Sequence, residues 1–455
     1  MKFNLINTKS MIKSELNIIL VNKKDSKTKS KTTKNTNNDL DIYDHAETIN
    51  KWCHNKLFTH ANNEGFLGNL YQTFISNIFS EDHNLSIALI GLGDSYNQNI
   101  DHFRQAAGHA YKIAHRKKAK NLQVIIPKNY ELPLFDIIKA ITEGIILSSY
   151  NFKKYNFKAL EKHKNHLQKV DIIIHDSVTE SLKKAITCAE EIAYSVLLAR
   201  DLINEPPIVV NPVYLAKEAT KIAEETGLSL QILDEKMLKK ENMNLLLAVA
   251  QGAGDFAPPR LIKLSYKPKK ASKKTIALIG KGVTFDSGGL DIKPADGMLD
   301  MKVDMSGAAC VLATMRAIAK LNLNINVIGY MACVENSVSH KSYHPGDIFI
   351  ARNGLSVEIS NTDAEGRLIL ADTITYALDN DKPDVIIDIA TLTGACMVAL
   401  GTKCAGLFCN DNDLANSILS FDKKTGEQFW RLPLDRKSTR LNSSHTDISR
   451  MPSSA

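Results

Sequence analysis

The stretch Thr275-Ile-Ala-Leu-Ile-Gly280-Lys281-Gly-Val-Thr-Phe-Asp286-Ser-Gly-Gly-Leu-Asp-Ile-Lys293-Pro294 decides how the chain is read. It opens with an apolar run, Thr275 to Gly280, that reads as a buried strand, and it passes into a glycine-rich turn carrying Asp286. Downstream, Asp304 to Lys320 has the periodicity of a helix, Ile325 to Val334 of a strand, Arg367 to Leu378 of a helix and Val385 to Ile389 of a strand. Apolar strands alternating with helices predict a mostly parallel or mixed sheet covered on both faces. Catalytic groups in such folds gather at loops beyond the strand ends.

Upstream of that stretch the same alternation occurs a first time. Ser86 to Ile90, Leu122 to Ile126 and Val170 to His175 read as strands, Ile100 to His115 and Leu134 to Leu147 as helices. Val178 to Leu202 is a long helical stretch suited to joining two domains. The expected fold class is therefore α/β, organised as an N-terminal α/β domain over residues 1–175, a linking helix over 176–204 and a second, mixed-sheet α/β domain over 205–435. The remaining 436–455 is polar, Ser-rich and without periodicity.

Length and composition agree with two domains: 455 residues with 44% hydrophobic content bury large cores. The net charge of +7 comes with lysine runs at Lys23 to Lys34 and Lys267 to Lys274. Such runs are ordinarily solvated loops, so nucleic-acid binding is disfavoured. The polar segment Lys23 to Asn38 suits a mobile surface loop. Seven scattered cysteines with no C-x-x-C pair read as reduced thiols, which points to the cytoplasm. The only apolar stretch near the N-terminus, Leu16 to Val21, lacks the flanks of a signal peptide, and no segment has the roughly 20 apolar residues of a membrane helix. A soluble protein is expected.

Chemistry concentrates in two clusters, the opening stretch with its extension Lys302-Val-Asp304-Met-Ser-Gly307, and Asn361-Thr-Asp363-Ala-Glu365-Gly-Arg367-Leu368. Asp363, Glu365 and Arg367 are spaced by two, so an extended segment would point all three to one side. Asp286 sits on the glycine-rich turn, and Asp304 at a helix start where the macrodipole favours a carboxylate. Four carboxylates in one site repel unless divalent cations compensate, and Mg²⁺, Mn²⁺ or Zn²⁺ fits such an oxygen-rich set on charge grounds. Taken singly, each acid is as well explained as a solvated turn or an N-cap. Lys281 between two glycines is not a phosphate loop, because Thr275 stands at its first glycine and Gly282 where Ser or Thr is needed. Gly91-Leu-Gly93 fails as a dinucleotide fingerprint because Tyr96 takes the third glycine position. There is no H-E-x-x-H or G-x-S-x-G.

Lys281 with Asp286 five residues on, Lys293, Asp304 and the octapeptide Asn361 to Leu368 together resemble the leucine aminopeptidase family, also called cytosol aminopeptidases. The resemblance runs from Ala199-Arg-Asp-Leu-Ile-Asn-Glu-Pro-Pro207 to Trp430-Arg-Leu-Pro-Leu434, and more faintly into the N-terminal domain. It implies a metallopeptidase that releases leucine and similar residues from peptide N-termini with two divalent ions per subunit, Mn²⁺ or Zn²⁺. Asp286 and Glu365 match carboxylates that bridge the two metals; Asp363 completes one site, Lys281 and Asp304 the other. Lysine ligation requires a neutral amine, the alternative being a salt bridge to Asp286. Lys293 matches a catalytic lysine that polarises the scissile carbonyl, and Arg367 an arginine that holds bicarbonate, assigned in the family as general base. Met301, Thr391 and Gly394 match substrate-binding positions.

The resemblance further implies a homohexamer. Family members continue beyond Trp430-Arg-Leu-Pro-Leu434, and 436–455 does not look like that continuation, so the expectation is a second domain incomplete at its C-terminus with a non-native tail, reduced in activity and assembly. Two rivals remain: an architectural DNA-binding role, and an inactive pseudo-enzyme, the latter disfavoured because every ligand position is filled.

Overall fold

The computed structural model describes residues 1–10, 14–23, 49–53, 55–79, 84–128, 130–156, 166–270 and 273–434. The polar segment predicted as a mobile loop lies, beyond Lys23, outside the described residues, as does the 436–455 tail. The chain divides into two compact units, one of Met1–Tyr194 with Ile418–Glu427, the other of Ser195–Ser417 resuming at Gln428.

The first unit is a six-stranded sheet built from β1 (Lys2–Asn7), β2 (Leu16–Lys23), β3 (Thr73–Phe79), β4 (Asn84–Asp94), β5 (Asn121–Ile125) and β6 (Lys169–Ile174) in the order β1-β6-β5-β2-β4-β3. All neighbours are parallel except β3, which pairs antiparallel with β4 at the edge. Helices α1 (Leu57–Asn63), α2 (Ile100–Arg116) and α3 (Leu134–Ser148) belong to this unit, and α4 (Glu180–Asn204) leads out of it. Asn99 starts α2 by accepting a hydrogen bond from the His102 amide at 3.0 Å. One polar row crosses the sheet in register: Asn4, Asp171, Gln123 and Asn17 on β1, β6, β5 and β2. Asp171 is met by Asn4 Nδ2 and Lys169 Nζ, both at 2.8 Å. Both amide atoms of Gln123 and the Asn17 oxygen are buried without a hydrogen-bond partner among the described residues.

The second unit holds a mixed sheet of β7 (Ser229–Leu233), β8 (Arg260–Tyr266), β9 (Thr275–Asp286), β10 (Asn326–Asn336) and, after the β11 (Ile348–Ile350) and β12 (Ser356–Glu358) hairpin, β13 (Val385–Ile389). The order is β13-β9-β10-β8-β7, with β13, β9 and β10 parallel and β8 and β7 antiparallel. Helices α5 (Pro212–Thr226), α6 (Glu235–Lys240), α7 (Asn244–Ala250), α8 (Ala295–Met298), α9 (Ser306–Leu321), α10 (Glu365–Asp381) and α11 (Gly394–Leu400) flank it. One face packs Ile279, Val283 and Tyr330 against Leu246 of α7 and Ile369 of α10. The other packs Ile262, Val327 and Met331 against Leu215 of α5 and Leu312 of α9. Two-faced burial explains why β10 reads as a nearly continuous apolar run.

The predicted α/β class and mixed second sheet hold, and most elements lie within two residues of their expected bounds. One differs usefully. β9 runs to Asp286 rather than stopping at Gly280. The glycines are there for close packing, not for a turn: a Cβ on Gly280 would stand 2.5 Å from the Gly307 carbonyl oxygen of α9, and one on Gly282 would stand 2.6 Å from the Ala332 carbonyl oxygen of β10. Among the described residues no helix is long and apolar enough to cross a membrane, and none of the seven cysteines is in a disulfide.

Candidate active site

β9 delivers Lys281 and Asp286 from one strand, Lys281 inside the sheet and Asp286 as its last residue. The chain then turns through Gly288 and Gly289, whose φ values of 87° and 67° favour glycine, and returns Lys293 toward Asp286. Two expectations about the acids need correcting. Asp304 does not cap a helix; it lies in a 3-10 turn, Met301–Met305, ahead of α9, and its neighbours are a lysine and a threonine rather than free helix amides. Nor are Asp363, Glu365 and Arg367 on an extended segment. Asn361 Oδ1 accepts from the Asp363 amide at 2.8 Å, closing a side-chain turn, Thr362–Ala364 form a 3-10 turn, and Glu365 begins α10. The turn, not strand alternation, brings Asp363 and Glu365 together.

Carboxylate oxygens of Asp286, Asp363 and Glu365 lie within 4.8 Å of one another. The lysines divide the cluster. Lys281 Nζ is buried and reaches Asp304 Oδ1 and Glu365 Oε1, each at 2.8 Å, and donates to the Thr391 carbonyl at 2.9 Å. Lys293 Nζ, at the more open end, pairs with Asp286 Oδ2 at 2.9 Å and with Asp363 Oδ1. The expected alternative of a Lys281–Asp286 salt bridge is thus not formed; Lys293 takes that role. Thr391 Oγ1 donates to Asp304 Oδ1 at 2.8 Å, so Thr391 holds both Asp304 and Lys281. Gly366 makes room for that lysine, since a Cβ there would stand 2.7 Å from Lys281 Cε.

Burial pushes the Glu365 carboxyl up to about 8, Asp286 and Asp304 adding to the rise while Lys281 opposes it. Burial likewise lifts Asp304 to about 6 against Lys281, and raises Asp363 against Lys293. For Lys281 and Lys293 burial works against the ammonium, but their carboxylate partners outweigh it and hold both above the ordinary lysine range. Burial lowers Arg367, half-buried on the first turn of α10, with Glu365 opposing. Met301 opens the turn that carries Asp304, and Gly394 begins α11 with no atom within 4 Å of where a Cβ would stand.

Even with both lysines engaged, Asp304 Oδ2 and Glu365 Oε2 are buried without a hydrogen-bond partner among the described residues. With all four carboxyls ionised, as cation ligation requires, Asp286, Asp304, Asp363 and Glu365 outnumber the cationic Lys281, Lys293 and Arg367, and the raised carboxyls of Glu365 and Asp304 mark how costly that charge is without further compensation. Orphaned carboxylate oxygens in an all-oxygen set fit a divalent cation. Several supporting residues escape a reading of the sequence: Asn336, Tyr343, Thr362 and Asp291. Thr362 is locked by its amide to Asp291 Oδ2 at 2.7 Å and by its hydroxyl to the Gly288 carbonyl at 2.7 Å. Asp291 and Thr362 stand inside the two quoted clusters without being singled out there, and nothing in the sequence marks Asn336 or Tyr343.

The acid-and-lysine cluster lies at the carboxyl ends of parallel strands, where α/β enzymes place their active sites, and its donor set suits a metal-dependent enzyme. Sequence comparison makes this specific. The catalytic-domain profile of the cytosol aminopeptidase family matches residues 197–455 and its N-terminal-domain profile residues 22–159, so the chain belongs to that family. A probable cytosol aminopeptidase of Aquifex aeolicus is 44% identical over 360 residues, 79% of this chain and 71% of that protein. One from Syntrophotalea carbinolica is 38% identical over 383 residues, 84% and 76% of the two chains. Among solved structures, a point mutant of tomato leucine aminopeptidase aligns with a TM-score of 0.83 at 32% identity, covering 96% of this chain and 83% of that one. The bottromycin maturation enzyme BotP in complex with Mn aligns with a TM-score of 0.77 at 28% identity, covering 94% and 83%. The activity of the family is hydrolytic removal of residues from peptide N-termini, and the chain is a metal-dependent peptidase of that kind.

Proposed function

We propose that Lys281, Asp286, Asp304, Asp363 and Glu365 hold two divalent cations, Mn²⁺ or Zn²⁺, and that the chain uses them to release leucine and similar residues from peptides. The observation that carries this reading is the trio Asp286, Asp363 and Glu365 with oxygens within 4.8 Å, beside unpartnered oxygens of Asp304 and Glu365. When bound, such a cation pair supplies Lewis acidity toward a carbonyl and acidifies water.

The side chains supply the rest. Lys293, the more open of the two lysines, donates to the scissile carbonyl oxygen and stabilises the negative charge that grows there. Its ammonium character is secured by the acids around it. Lys281 requires the neutral amine to ligate, whereas its three acceptors, Asp304, Glu365 and the Thr391 carbonyl, favour the ammonium. Arg367 would hold bicarbonate, whose chemistry is that of a proton acceptor. Met301, Thr391 and Gly394 line the pocket for the first side chain in this reading. A homohexamer and a cytoplasmic location complete it, supported by the resemblance and by the relatives' descriptions as cytosol aminopeptidases.

The test is hydrolysis of a leucyl amide by the purified chain before and after chelation, with metal content measured in parallel. Activity that vanishes with the metal and returns on adding Mn²⁺ or Zn²⁺ is expected. Unchanged turnover after verified metal removal would refute the reading.

A further inference from the structure

The cluster is assembled from segments far apart in sequence, the end of β9 and the turn before α10, and something must fix the spacing between them. The lysines are poor candidates, because a cation entering the site competes with them for the same carboxylates. Neutral donors do not compete in that way. Asn336, the last residue of β10, pairs with Asp286 in the strand register and is fully buried. Its Nδ2 donates to Asp286 Oδ1 at 2.8 Å and to the Thr362 carbonyl at 3.0 Å. Both partners are acceptors, so a reversed amide would set oxygen against oxygen, and chemistry alone fixes its orientation. The same Thr362 carbonyl accepts from the Tyr343 hydroxyl at 2.7 Å, and Tyr343 is 1% exposed. That carbonyl belongs to the peptide bond leading into Asp363.

We propose that Asn336 and Tyr343 are positioning residues that hold Asp286 and the Asp363–Glu365 turn at the separation a cation pair requires, an inference that rests on the two-cation reading above. Asp286 Oδ1 is held on one side by Asn336 and on the other by the Gly288 amide at 3.0 Å, which fixes the rotamer and directs Oδ2 to the Lys293 side. Thr362, held by two donors, presents Asp363 and Glu365 at a set depth. Neither residue adds charge, so the spacing is defined without altering the charge balance of the site. Groups bonded to metal ligands in this way typically govern affinity or activity by about 10–100-fold.

The experiment uses the full chain. Mn²⁺ alone is titrated calorimetrically into metal-free wild type, Tyr343→Phe and Asn336→Ala, and leucyl-amide kinetics follow at saturating Mn²⁺. Wild type takes up two ions per chain; Asn336→Ala binds them about 10–100-fold more weakly and Tyr343→Phe several-fold more weakly, with kcat lowered in the same order and KM changed less. Because both residues act on one carbonyl, the double variant loses less than the product of the single losses. Should Asn336→Ala fail to fold, Tyr343→Phe, which removes only a hydroxyl, decides the matter. Variants that melt earlier yet match wild type in Mn²⁺ affinity and kcat would overturn the inference while leaving the two-cation reading intact. A wild type that binds no Mn²⁺ would overturn that reading and the inference together.

Discussion

Each of the two sheets carries polar side chains inside it, on different terms. In the first unit the row Asn4, Asp171, Gln123 and Asn17 is mostly neutral, and its one acid is already answered by Asn4 and Lys169. What remains unpartnered there is amide, the two polar atoms of Gln123 and the oxygen of Asn17. In the second unit what remains unpartnered near the strand ends includes carboxylate oxygen, on Asp304 and Glu365, after two lysines have already been used. An orphaned amide costs about 1–3 kcal/mol and can be met by one trapped water. A crowded carboxylate needs positive charge. The same defect in a hydrogen-bond census therefore reports packing in one sheet and chemistry in the other, and the kind of charge decides which.

Substitutions on the two sides should separate cleanly. The largest effect is expected for Glu365→Ala, which removes an acid shared by both proposed cation positions: metal content by elemental analysis should fall below two ions per chain and leucyl-amide hydrolysis should drop by more than ~10³-fold, beyond the ~10²–10³ of a single stabilising group. Two ions retained at wild-type affinity would show that Glu365 is not shared.

Lys293→Ala comes next. Loss of a charge that acts on the developing oxyanion should lower kcat by ~10²–10³-fold with metal content intact. Metal lost along with the rate would instead make Lys293 part of the cation site.

In the first unit, Gln123→Leu removes an amide with no partner and keeps the bulk. Urea unfolding should show stability unchanged or higher by about 1 kcal/mol, with wild-type kcat. A loss of several kcal/mol would mean the row is a satisfied network and would erase the contrast between the sheets.

The smallest effect concerns Asp372, a buried acid of α10 that accepts from the Leu245, Leu246 and Arg352 amides and lies outside the lysine cluster. Burial pushes it up to about 6, above the ordinary aspartate range, with its three amide donors opposing. Since the folded state holds its proton more tightly than the unfolded one, its contribution to stability is fully present below the unfolded value and is lost as pH rises toward 6. Denaturation of the metal-free chain between pH 4 and 6.5 should show that slope, and Asp372→Asn should lessen it, the remainder coming from the raised acids Asp304, Asp363 and Glu365; an identical pH profile in the variant would assign the whole slope to those other groups.

Much of this architecture was legible in sequence because burial on both faces leaves a long apolar run, as in β10, and because helices such as α2 and α3 keep strong periodicity. The acids of the site were legible as a set, through the spacing of Lys281, Asp286, Lys293, Asp304 and the octapeptide. Their local geometry was not. Asp363 and Glu365 meet through a side-chain turn at Asn361, and residues spaced by two look the same in a strand as in a turn entering a helix. The glycines around Lys281 read as a turn because sequence does not reveal how closely α9 and β10 approach. Asn336 and Tyr343 were invisible for a simpler reason: a lone Asn or Tyr becomes informative only when its partners, tens of residues away, are known.

Glycines bound this site with opposite consequences for its future variation. At Gly366 any side chain would collide with Lys281, whereas at Gly394 the space where a Cβ would stand is open to 4 Å. A laboratory library that tests the proposed role of Gly394 in the pocket for the first side chain should therefore leave position 366 untouched and begin at 394 with alanine, whose Cβ meets no atom of the described residues within 4 Å.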